Sequence, residues 1–135
     1  MAKILPKGKG VWVPIDHGVT DFPCVGLENI EATITAIIAG GANVIVAHKG
    51  VVDKYSHLCE GTATSMIAHL SASTRHGGKN HSNKILVGDV DEAIMRGAVG
   101  VSVQANIGSK KESTMLQRMG HITTEAFLNQ VPVLG

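Results

Sequence analysis

Two stretches of the chain repeat one another in form, and together they confine it to a narrow set of folds. Gly41-Ala42-Asn43-Val44-Ile45-Val46-Ala47 and Gly97-Ala98-Val99-Gly100-Val101-Ser102-Val103 each run from a glycine through an alanine into a β-branched apolar segment. Ahead of the first, Leu27, Ile30, Ile34, Ile37 and Ile38 recur at helical spacing. Glu28 and Glu31 lie in that helix's first turn, where carboxylates favour the helix dipole. Ahead of the second, Asp89 or Asp91 caps a helix that reaches about Arg96. A helix, a glycine stop and an apolar strand, twice over, indicate βα units and a parallel sheet.

The remaining segments extend that rhythm. Strand one is expected at about 11–15, followed by a loop over 16–26 and a helix from about 28 to 39. Strand two covers 43–47, and a looser segment follows over 51–61. A helical turn from about Thr62 is expected to give way to a third apolar run, Met66 to Leu70. Residues 75–83 read as a loop, and Ile85-Leu86-Val87 as a short apolar segment. Strand four spans 99–103, the last helix about 110–129, and Val131 to Leu134 reads as a strand just begun. Four strands and the start of a fifth fit either a small doubly wound sheet or part of a (β/α)8 barrel. A whole barrel needs ~250 residues, and the chain has 135.

Composition narrows the partners. Hydrophobic residues make up 44% and charged residues 17%, which is globular and not disordered. The net charge is +1, no basic run occurs and aromatics are 3%, so the stripe and stacking platform of a nucleic-acid binder are missing. No apolar run reaches the ~18 residues of a membrane span, and the N-terminus lacks the apolar core of a signal peptide. Cys24 and Cys59 read as free thiols, and a cytoplasmic location is expected.

Each strand ends on polar groups: Asp16-His17, His48-Lys49, His69 with Ser71, and Gln104 with Asn106. Convergence of such strand ends is how a barrel builds a site. Three readings are open on this pattern. Asp16 is a general acid/base, in partnership with a Schiff-base lysine, for which Lys49 is a candidate. Alternatively His17, His48 and His69 ligate a metal, although no His-x-His or His-Glu-x-x-His spacing is present. The third reading is a domain that binds or scaffolds without catalysis.

Val13-Pro14-Ile15-Asp16-His17-Gly18-Val19-Thr20 carries a more specific signal. With Gly41 to Gly50, His69-Leu70-Ser71 and Val101 to Ser109, it resembles the DhnA-type class I aldolases of the DeoC/FbaB/LacD superfamily. Within these the pattern is most similar to the 2-amino-3,7-dideoxy-D-threo-hept-6-ulosonate synthases of aromatic amino-acid biosynthesis. The fructose-bisphosphate aldolases are near relatives that share Asp-His-Gly. The resemblance implies a TIM barrel and a Schiff-base aldolase or transaldolase reaction without cofactor or metal. It implies a phosphorylated keto-sugar substrate and aspartate semialdehyde as acceptor. Asp16 takes the place of the proton acceptor, and Asp16, His17, Gly18, Val19 and Thr20 that of the substrate-binding loop.

The family's catalytic tyrosine ends strand five and its Schiff-base lysine ends strand six, both beyond residue 135. Gln104 stands where the family often shows histidine, and the Arg75–Asn83 loop departs from the pattern. Residues 1–135 are therefore expected to form the N-terminal half of a barrel, strands one to four and the start of five. Such a half is expected to be inactive alone, and to form a homo-oligomer or pair with a complementary half.

Overall fold

The computed structural model describes residues 3–135. In chain order its elements are β1 (Trp12–Pro14), a one-turn helix α1 (His17–Thr20), α2 (Ile30–Ala39), β2 (Val44–Ala47) and α3 (Lys49–Tyr55). There follow β3 (Ser65–His69), β4 (Ser71–Ala72), β5 (Ile85–Leu86), α4 (Val90–Met95), β6 (Val101–Ser102), α5 (Glu112–Leu128) and β7 (Val133–Leu134). Five strands form one sheet in the order β1-β2-β3-β6-β7, and every pairing is parallel. Strands laid down in sequence order, with no reversal, are the topology of a barrel wall; a doubly wound sheet reverses at a switch point. Of the two architectures open in the sequence, this is the half-barrel.

The sheet has two unlike faces. Ile15, Ile45, Ala47, Met66, Ala68, Leu70, Val101 and Val103 point outward into one large core, which includes Ile34 of α2, Val52 of α3, Val90 and Ala93 of α4 and Ile122 of α5. The alternate residues face inward. Val44, Val46 and Ile67 form a second, smaller cluster with Ile4, Leu5 and Trp12. Here the N-terminal segment folds under the sheet, and the Trp12 indole Nε1 donates to the Ile4 carbonyl at 3.0 Å.

The repeat that opened the sequence analysis is a pair of identical helix ends. After α2 the Gly41 N–H bonds to the Ile38 carbonyl and the Ala42 N–H to that of Ile37. After α4 the Gly97 N–H bonds to Ile94 and the Ala98 N–H to Ala93. Both are Schellman motifs, and both glycines have positive φ, 78° and 93°. A third copy closes α5: Gln130 bonds to Phe127 and Val131 to Ala126. There Gln130, not glycine, holds φ 57°. Each motif turns a helix directly into the next strand of the sheet.

Three local expectations change. The 16–26 stretch is not all loop, because His17–Thr20 closes one helical turn. The segment from Val51 is not loose: α3 starts at Lys49 and runs to Tyr55, then tightens into a 3-10 turn over Ser56–Cys59. Buried Val52 and Cys59 hold it down. No helical turn follows Thr62. Instead the Thr62 hydroxyl donates to the Cys59 carbonyl at 2.9 Å, and the chain enters β3 at Ser65. Ile85-Leu86 lies outside the main sheet, pairing antiparallel with Ser71-Ala72. The last helix starts at Glu112.

Candidate active site

The C-terminal ends of β1, β3 and β6 meet at a cavity of about 380 Å³ on the inward face. It is lined by Trp12, Pro14, Asp16, His69, Ser102 and Gln104, among others. The pleat explains the selection. Trp12 and Pro14 occupy one side of β1, and Asp16 continues that side past the strand end. On β3, Ile67 and His69 share the inward face, and on β6 Ser102 does so between Val101 and Val103.

His69 is the centre of the polar contacts. It is buried, with its side chain 9% exposed. Its Nδ1 lies 2.6 Å from the Ser102 hydroxyl, and its Nε2 lies 3.6 Å from Oδ2 of Asp16. That Nε2 is buried and has no hydrogen-bond partner among the described residues. Above it the His48 Nδ1 donates to the His69 carbonyl at 3.1 Å, and the two rings stand 5.5 Å apart, tilted by 55°.

Burial pushes the His69 imidazole down from 6.5 to about 4, with the Asp16 carboxylate opposing and His48 and Lys84 reinforcing. Burial also lowers His48, against its bond to the His69 carbonyl and the Asp16 charge, with Lys84 again lowering. Both rings are therefore neutral at pH 7, next to one carboxylate.

The sequence candidates separate cleanly. Asp16, His69 and Gln104 line the cavity. Ser71 supports them, its hydroxyl accepting from the Gln104 N–H at 3.0 Å. Asn106 accepts from Gln104 Nε2 at 2.8 Å. His17 is exposed and lies outside the lining, as do Gly18, Val19 and Thr20; these four form α1, which leaves the cavity rim. Among the described residues, no three His, Cys, Asp or Glu side chains converge as a ligand set, so His17, His48 and His69 do not come together around a common point.

Lys49 is engaged elsewhere. Its Nζ lies 3.0 and 2.9 Å from the two oxygens of Glu92, which also holds Arg96 at 2.9 Å, and Arg96 reaches Asp53 at 3.1 Å. Lys49 and then Arg96 hold the Glu92 carboxyl below its ordinary value. This cluster sits in the helical layer and not on the inward face.

Two residues were missed from sequence. Ser102 is signalled only as the one polar residue in the apolar Val101–Val103 alternation. Lys84, 9% exposed, stands just ahead of the Ile85-Leu86 segment. The Arg118 guanidinium donates to its carbonyl at 2.6 Å, and its ammonium acts on both histidines.

Comparison with known proteins adds the family. Residues 10–134 match the model of the DeoC/LacD family aldolases. The chain belongs to this family. As a member of the DeoC/LacD family it is 34% identical over 135 residues to 2-amino-3,7-dideoxy-D-threo-hept-6-ulosonate synthase 1 of Archaeoglobus fulgidus, covering all of this chain and 50% of that one. It is 35% identical over 123 residues to the synthase of the same name from Halobacterium salinarum, covering 91% and 45%. The chain thus spans about half the length of the curated relatives it matches. In fold it is similar to a Schiff-base-forming fructose-1,6-bisphosphate aldolase, with a TM-score of 0.83 at 22% identity over 98% of this chain and 53% of the other. The five parallel strands are a half-barrel of this family's fold.

Proposed function

We propose that these residues supply the proton-transfer half of a class I, Schiff-base aldolase or transaldolase site. The substrate is a phosphorylated keto sugar, and aspartate semialdehyde is the acceptor, as in the 2-amino-3,7-dideoxy-D-threo-hept-6-ulosonate synthases. The observation that carries this reading is Asp16, at the C-terminal end of β1, facing an apolar cavity on the inner wall of an aldolase-family half-barrel. Carbon–carbon cleavage in such a reaction needs a base for a substrate hydroxyl. Asp16 is that base. We assign Asp16 to Thr20 to substrate binding, with Asp16 in the cavity and α1 (His17–Thr20) beyond its lining, where a sugar phosphate longer than the cavity would reach.

Lys49 is held by both oxygens of Glu92, and by the family resemblance the amine of the Schiff base is the strand-six lysine, beyond residue 135. The working enzyme is then a barrel completed by a complementary half, or an oligomer of such units, in the cytoplasm. Greater identity to the heptulosonate synthases than to the fructose-bisphosphate aldolase favours the former substrate.

Borohydride trapping tests the assignment. The chain alone, incubated with either keto-sugar phosphate and reduced, gives no adduct by mass spectrometry. Combined with the C-terminal half of a family barrel, it gives an adduct on that half. Asp16→Asn then lowers turnover by about 10²–10⁴-fold. A trapped adduct on Lys49 or Lys84 overturns the reading.

A further inference from the structure

The buried polar groups next to Asp16 carry an inference that rests on the reading of Asp16 as a base. Ser102 has a buried hydroxyl whose partner among the described residues is His69 Nδ1, at 2.6 Å. A hydroxyl hydrogen buried at 3% exposure needs an acceptor, and Nδ1 supplies one only when it is unprotonated. The ring's single proton is then on Nε2. That atom is buried, has no hydrogen-bond partner among the described residues and faces Oδ2 of Asp16 at 3.6 Å. The opposite tautomer leaves the Ser102 hydrogen without an acceptor and aims a bare nitrogen lone pair at a carboxylate. Both ends of the ring therefore select the same tautomer.

We propose that His69 is a positioning residue for Asp16: Ser102 fixes the ring through Nδ1, and Nε2–H holds Oδ2, which leaves Oδ1 as the oxygen that takes the substrate proton. The distance of 3.6 Å is longer than a hydrogen bond, and a small rotation of the Asp16 carboxylate closes it. His48 completes the clamp from the other side by donating to the His69 carbonyl, which ties the ring's backbone to the end of β2. The ionisable groups facing His69 are Asp16, His48 and Lys84. Of these only Asp16 is an acceptor anion, and the other two repel a proton added to the ring. The imidazole thus serves as a neutral donor, not as a relay that takes up the substrate proton itself. This division of labour is that of a buried orienting group and a half-buried base that faces the cavity, in which geometry fixes which oxygen reacts.

Nitrogen-15 chemical shifts of the seven histidines in the 135-residue chain test this without requiring catalysis. At pH 7 the His69 Nδ1 is expected at the position of an unprotonated ring nitrogen and Nε2 at that of an N–H. Ser102→Ala is expected to mix the tautomers, and Asp16→Asn to shift Nε2 and move the titration of the ring further to acid. The Nδ1–H tautomer in the unmutated chain, or an Nε2 resonance indifferent to Asp16→Asn, overturns the proposal. In the completed barrel His69→Gln, which keeps a donor near the Nε2 position, retains more turnover than His69→Leu, and equal loss in both counts against it. Failure of the aldolase reading would show as absent turnover with the tautomer unchanged, so the two fail separately.

Discussion

At the scale of single residues, the inner wall keeps two histidines uncharged beside a carboxylate, and this has a cost in acid. The ordinary His69 value of 6.5 falls to about 4 in the folded chain because burial outweighs the Asp16 charge. Below pH 6.5 the unfolded chain takes up a proton that the folded chain refuses. The stability this group contributes is present above pH 6.5 and is lost as pH falls toward 4. His48 is lowered for the same first reason and adds to the slope. Urea unfolding at pH 7.5 and 4.5 should show the midpoint falling, with a loss of unfolding free energy of at most about 3 kcal/mol from His69. His69→Gln should flatten the decline between pH 6.5 and 5, where few carboxylates titrate, and an undiminished slope in that variant would assign it elsewhere. Asp16 and His69 were legible as polar residues ending apolar strands. Ser102 and Lys84 were not, because their importance arises from which nitrogen or charge they meet across the sheet.

Elements were legible where the signal is local. The α2 stripe and the Asp89 cap of α4 follow from short spacings. The α2 cap is Asn29, which accepts from the Ala32 N–H at 3.1 Å and is hidden in the sequence because Glu28 reads as part of the first turn. The stretch from Lys49 was misread, since α3 has only two turns and its apolar contacts, Val52 and then Cys59, show no long periodicity. Lys49 looked like a strand-end nucleophile because sequence places it after β2 but does not show Glu92 arriving from α4. The third Schellman motif escaped notice for a similar reason. Gln130 fills a left-handed position that the two earlier copies give to glycine, so the repeat in backbone geometry is invisible in residue type. A side chain at such a position costs roughly 1–2 kcal/mol, offset in part by the greater freedom glycine brings to the unfolded chain. Gln130 is exposed, so nothing is lost in packing. Gln130→Gly should stabilise the chain by about 0.5–1 kcal/mol in thermal or urea unfolding, whereas Gly97→Ala should destabilise it, because its Cβ would stand 2.6 Å from the Ser56 hydroxyl. A neutral or destabilising Gln130→Gly would mean that the α5 end is held by something other than this motif.

For the molecule as a whole, the two sheet faces set the behaviour in solution. Parallel sheets are covered on both sides in folded proteins. Here helices cover the outer face with a continuous core, while among the described residues the inner face is covered only where Ile4, Leu5 and Trp12 reach Val44, Val46 and Ile67. Toward the C-terminal strand ends that face opens into the cavity between Pro14 and Leu134, and Leu134 is 40% exposed. Two parallel edges, β1 and β7, also present unpaired backbone groups. A closed barrel has neither exposure, because each edge is paired with a further strand and the interior is filled by side chains. Unsatisfied edges and an uncovered apolar wall favour association by the same forces that close a barrel. Sedimentation velocity at tens of micromolar should therefore show the 14.1 kDa chain in species heavier than a monomer. Adding the C-terminal half of a family barrel should convert these to a discrete one-to-one complex, since that half pairs both edges at once. A compact, well-behaved monomer that ignores the added half would show that the inner wall is stable in water, and that the cavity beside Asp16 is an open surface in its own right.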